Sequence, residues 1–255
     1  MRAITMYLLA ALTVCACKTT NRSEQARTPE AKQSSPAPGG DAREATVQVS
    51  MQGHEKQGDA MRDAVARGDL DGAKTDAKLL AELRMDGPRR GLWKQMLDAM
   101  KAASAQSAGA NDLKDAGRDV GLVATTCGDC HAKFGRPGIV VEPPGAPGSG
   151  ARASMQRHQW AAERLWDGLV VPSDDAWNSG ALALAEAPLV PEELTPGKSP
   201  VPRVRELAQT VHNLALKAAS AERVDARADL YGQVLATCAE CHQWLGGGPR
   251  SGQSP

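Results

Sequence analysis

The stretch LKDAGRDVGLVATTCGDCH, residues 113–131, decides how the rest of the chain is read. Leu113, Gly117, Val120, Ala124, Cys127 and His131 step alternately by four and three residues, which places them along one face of an α-helix. A Cys-x-x-Cys-His signature therefore ends a buried helical stripe. The same signature ends VDARADLYGQVLATCAECH, residues 224–242, where Val224, Ala228, Tyr231, Leu235, Cys238 and His242 keep the same steps.

Two thiols at this spacing followed directly by histidine form the pattern for covalent haem attachment. The thiols add across the two haem vinyl groups, and the histidine is brought beneath the iron as its proximal ligand. Cys127, Cys130, Cys238 and Cys241 are thus the candidate haem attachment sites, with His131 and His242 the proximal iron ligands and two covalent c-type haems the expected cofactors. A single match could be a zinc or dithiol redox site. Two copies in a chain with an export signal point away from that reading.

Working outward, Met51-Gln52-Gly53-His54 recurs as Met155-Gln156-Arg157-His158, an offset of 104 residues, while the cysteine motifs are offset by 111. Anchors that keep their order and nearly their distance indicate an internal duplication. Each copy predicts four helices. The first carries Met51, His54, Gly58, Met61 and Val65, or Met155, His158, Ala162, Leu165 and Leu169 in the second copy. The second runs through Leu70, Ala73, Ala77 and Leu80, and its counterpart near Asp174 to Glu186 is short and weakly patterned. Asp86-Gly87-Pro88 separates the second from the third. Leu92, Met96, Ala99 and Ala103 are expected to face inward on the third helix, matched by Val204, Leu207, Val211, Leu214 and Ala218. No strand alternation is present, so the expected fold class is all-α, as two tandem four-helix bundles each with a C-terminal haem site.

Composition agrees with this plan. A chain of 255 residues accommodates two modest domains with loose ends. Aromatic residues make up 3 %, Phe134 being the single phenylalanine, so a haem would supply bulk that the side chains lack. The formal charge is zero with both signs interspersed, which excludes the basic footprint that nucleic-acid binding needs.

Residues 1–17 carry Arg2 and an apolar run too short to span a membrane, as in a secretory signal. The segment Val14-Cys15-Ala16-Cys17 resembles a bacterial lipoprotein processing site, with Cys17 favoured over Cys15 for lipidation. Residues 18–45 read as a disordered tether. The haem domains are expected at 46–136 and 151–246, with a Pro/Gly linker at 137–150 and a disordered tail at 247–255. The expected location is periplasmic, held to a membrane by the N-terminal lipid.

The position of each motif at the end of the last helix resembles the cytochrome c′ family, the class II c-type cytochromes. The resemblance covers about 46–136 and 151–246 and rests on Cys127-Gly128-Asp129-Cys130-His131 and Cys238-Ala239-Glu240-Cys241-His242. It implies a four-helix bundle whose first helix faces the distal side of the haem, occupied by methionine in some members and open in others. Bundles of the family often associate, so a homo-oligomer is a further expectation. This chain departs by offering histidine as well as methionine.

Met51 and His54 share one helix face, as do Met155 and His158. His54 and His158 are the favoured distal ligands, because imidazole on an apolar stripe needs a partner, and Met51 and Met155 are the alternatives. Plain core filling is the competing role for the methionines. Arg118 and Arg227 precede the motifs and suit haem propionates, unless they simply face solvent. His212 has no counterpart in the first copy, and Trp93, Trp160, Trp166, Trp177 and Trp244 read as core. Saturated iron favours outer-sphere electron transfer to redox partner proteins over catalysis, so the expectation is an electron carrier rather than an enzyme. Gas binding or sensing at an open distal site is the alternative.

Overall fold

The structure is a computed structural model that describes residues 42–84, 91–135, 141, 143, 148–186, 189–195 and 202–246. The signal with Cys17, the break at Asp86 to Pro88, the tail and most of the tether and linker lie outside the described residues. All regular elements among the described residues are helical, as the stripes predict.

The first copy contains α1 (Ala42–Arg67), α2 (Leu70–Glu82), α3 (Gly91–Ala108) and α4 (Leu113–Phe134). Asp69 and Asp112 begin α2 and α4 by accepting hydrogen bonds from the amides of Gly72 and Asp115, each at 2.8 Å. Gly68, at φ +80°, makes the turn between α1 and α2 in a backbone region that favours glycine. The second copy contains α5 (Gly150–Val170), α6 (Asp174–Glu186), a one-turn α7 (Pro191–Leu194), α8 (Pro202–Ala219) and α9 (Val224–Leu245). α6 occupies the span expected from its weak pattern. α7 was not foreseen, because a single turn opening on a proline leaves no periodicity to read.

Within the first copy α1 packs on α2, α2 on α3, α3 on α4, and α1 again on α4. In the second, α5 packs on α6, α6 on α8, α8 on α9, and α5 on α9. Contact does not stop at the copy boundary. α4 packs along α9, α1 touches α9 and α4 touches α5, and one hydrophobic core draws on Met61, Val65 and Val120 together with Leu165, Trp177 and Leu235. The described residues belong to one compact unit.

Small residues bring α4 and α9 into backbone contact. A Cβ added to Gly117 would lie 2.6 Å from the Gly232 carbonyl oxygen, and one added to Gly121 would lie 2.4 Å from that of Ala228. Gly117 and Ala228 are repeat counterparts, as are Gly121 and Gly232, so each copy offers the same two positions to the other. The register is antiparallel about a point midway between these contacts. The two cysteine motifs consequently sit towards opposite ends of the pair. With a rise of about 1.5 Å per residue and roughly eight residues on either side, Cys127 and Cys238 lie as much as about 24 Å apart along it.

The expected stripes are buried or half-buried except at Leu92, Ala99 and Val224. On α3, Leu92 and Ala99 face solvent, Ala103 is buried as expected, and Met100, Ser104 and Ser107 are buried with it. Two serines can lie inward because the Ser104 hydroxyl bonds the Met100 carbonyl at 2.9 Å and that of Ser107 reaches the Met61 sulfur at 3.7 Å. Val224, the first residue of α9, is half exposed. Ala162 on α5 is half-buried, as are Met51, Leu70, Met96, Leu113 and Met155 on their stripes. No helix among the described residues is long and apolar enough to cross a membrane.

Candidate functional site

In the first copy, helical register delivers the motif to a cavity. Continuing the stripe of α4 by alternate steps of three and four brings Cys127 and His131, with Cys130 beside them, to the wall of a space of about 990 Å³, and the middle of α1 brings Met51 and His54 to the same space. That volume lies at the upper end of cofactor pockets, roughly 300–1,000 Å³. The sequence-predicted attachment, proximal and distal candidates of this copy thus line one cavity.

His54 is 4 % exposed. Its Nδ1 lies 2.7 Å from the Ser50 carbonyl oxygen. A carbonyl only accepts, so Nδ1 carries the proton and Nε2 keeps its lone pair. Nε2 is buried with no hydrogen-bond partner. Leaving such an atom unsatisfied costs about 1–3 kcal/mol, which a metal or hydrogen-bond donor within the cavity would recover. Burial holds the imidazole below its ordinary pKa, partly offset by the Ser50 carbonyl, and Lys101 lowers it further. The neutral ring with a bare Nε2 is the form that ligates metals.

The proximal candidates carry the same tautomer. Nδ1 of His131 lies 2.7 Å from the Val170 carbonyl oxygen, and Nδ1 of His242 lies 2.6 Å from that of Ala66. In both, Nε2 is left as the ring's lone-pair nitrogen. Burial lowers the pKa of His242, with the Ala66 carbonyl opposing it. The thiols respond to burial in the opposite sense. Cys238 is pushed up to about 12, and Cys130 and Cys241 are also raised. Thiols so raised stay protonated at neutral pH, which is the reverse of what a nucleophilic or dithiol redox centre needs.

In the second copy His158 is buried and Met155 half-buried on α5, as their counterparts are on α1, while Cys238 is half-buried and Cys241 buried on α9. Arg118 extends to solvent and pairs with Asp115 at 3.2 Å. Arg227 is taken up by Asp174 at 2.6 Å and the Ala221 carbonyl at 2.8 Å, and stacks on Trp177. Neither arginine lines the first cavity. Arg62 and Arg164 do, the first with its guanidinium over the Trp166 ring and the second with a buried Nε that has no partner. Sequence reasoning passed over both because they flank, and do not lie on, the apolar stripes. It had no signal at all for the carbonyls of Ser50, Ala66 and Val170. His212 is half-buried on α8, Trp177 and Trp166 are core, Trp93 and Trp160 are half-buried, and Trp244 is exposed.

No family model, curated protein or solved structure matches the chain.

Proposed function

We propose that the chain is a dihaem c-type cytochrome, built as two tandem four-helix bundles resembling the cytochrome c′ family, that carries electrons outside the inner membrane. The observation that carries this reading is the first-copy cavity. It joins Cys127, Cys130 and His131 to a buried His54 whose Nε2 has no other partner. Haem bound there would supply a one-electron Fe(III)/Fe(II) couple.

The residues have distinct tasks. Cys127 and Cys130 tether one haem and Cys238 and Cys241 the other, while His131 and His242 present Nε2 because their Nδ1 protons are held by carbonyls. His54, fixed by Ser50, would ligate the first iron through Nε2, and His158 is the corresponding candidate for the second. The unpartnered nitrogen favours His54 over Met51, which then packs beside the haem. Arg62, paired with Asp59 and Asp63, and Arg164, paired with Asp167, bring positive charge to the wall of the same cavity. Cys17 would carry the lipid that holds the protein at a membrane, within reach of periplasmic redox partners.

Carbon monoxide titrated into the reduced protein tests the assignment against total haem measured on the same sample. Near-zero binding is expected, rising to one equivalent per chain in His54→Ala and staying near zero in Met51→Leu. One or two tightly bound equivalents in the unaltered protein would replace electron carriage by gas binding.

A further inference from the structure

We infer that each half of the chain holds the proximal histidine of the other half in its ligating orientation, so the two haem sites are assembled as a reciprocal pair. The inference rests on the dihaem reading above. His131 of the first copy donates its Nδ1 proton to the carbonyl of Val170, the last residue of α5, and His242 of the second donates to the carbonyl of Ala66, in the last turn of α1. Donors and acceptors both obey the duplication. The acceptors are 104 residues apart, like the two first-helix motifs, and the donors are 111 apart, like the two cysteine motifs. One contact could be incidental. Two that exchange under the repeat are a built feature.

Physical chemistry gives the exchange a purpose. The last four carbonyls of a helix have no partner within it and lie at the negative end of its dipole. A histidine N–H therefore finds a strong acceptor there, while the helix end gains a donor it lacks. The acceptor fixes the tautomer, sets the ring plane and raises the basicity of the ligating nitrogen. Backbone proximity keeps each helix end against the opposite motif. A Cβ on Gly128 would lie 2.3 Å from the Leu169 carbonyl oxygen, and one on Gly68 would lie 3.2 Å from that of Ala239, the repeat counterpart of Gly128. Ala66 and Val170 are thus positioning residues, acting through their carbonyls on iron held by the other half.

The test uses the full chain loaded with both haems. Replacing the residue-171 amide by an ester, through an α-hydroxy analogue of valine, weakens the Val170 carbonyl as an acceptor, and an ester at residue 67 does the same for Ala66. Potentiometric titration follows each haem, assigned with a Cys127→Ala/Cys130→Ala variant that lacks the first. The ester at 171 is expected to lower the oxidised-to-reduced ratio of the Cys127/Cys130 haem about fivefold at fixed potential, the effect of weakening one hydrogen bond, and to leave the other haem unmoved. The ester at 67 should do the reverse. A shift at the haem of the same half, or none beyond about twofold at either, would overturn the inference. If an ester variant fails to fold, proton NMR of the reduced unaltered protein decides: cross-relaxation from each proximal Nδ1 proton to residues 66–67 or 170–171 of the opposite half is expected, and its absence refutes the exchange. A protein isolated without covalent haem would instead overturn the dihaem reading, before any potential is measured.

Discussion

At the scale of single residues, the choice between His54 and Met51 turns on one atom. Both lie on the same face of α1 and line the same cavity, so the sequence leaves the choice open. It is the Ser50 carbonyl, one turn back along the helix, that fixes the imidazole tautomer and leaves Nε2 bare. Backbone acceptors have no sequence signature, which is why the candidates were legible and the preference was not. Tyr231 presents the same kind of problem without a cofactor to solve it. Its hydroxyl is fully buried and unpartnered, its ring lies 6.2 Å from that of Trp166, and burial raises its pKa well above the ordinary phenol value. Tyr231→Phe should therefore raise stability by about 1 kcal/mol, since it removes an unsatisfied group and keeps the ring. The gain should grow above about pH 10, where an unfolded tyrosine ionises and the buried one stays protonated, so ionisation favours unfolding of the unaltered protein as pH rises. Urea midpoints on either side of that pH measure both effects, and a loss of stability on substitution would show that the hydroxyl has a role here unaccounted for.

Among the elements, the helices themselves were legible because their stripes repeat in both copies, and α6 was found even with a weak pattern. The orientation of α3 was not legible. A reading that counts apolar residues places Leu92 and Ala99 inward, whereas the structure buries Ser104 and Ser107, whose hydroxyls find acceptors on the backbone and on Met61. The contact of α4 with α9 was equally hidden, because glycines on a stripe look like weak core residues until their backbones are seen to touch. Gly121→Val should cost more than about 2 kcal/mol by overpacking against the Ala228 backbone. Gly53→Ala, on α1 with no atom within 4 Å of the added Cβ, should instead gain up to about 1 kcal/mol from helix propensity. Thermal unfolding of the two variants reads the difference. Equal effects would mean that α4 and α9 do not depend on this close approach.

Over the whole molecule, the duplication organises everything that the sequence made legible: paired motifs, paired first-helix histidines, paired stripes. A repeat reveals what each copy contains but not how the copies meet. The core shared across α1, α4, α5 and α9, and the carbonyls that reach from each half to the other's histidine, arise from tertiary approach between segments as much as 176 residues apart. Such contacts leave no periodic trace. The central claim, however, is chemical, and the intact mass of the chain purified from a host that matures c-type cytochromes tests it most directly. Two haem masses per polypeptide that survive acid-acetone extraction are predicted, falling to one in Cys127→Ala/Cys130→Ala. A polypeptide carrying no covalent haem would contradict it.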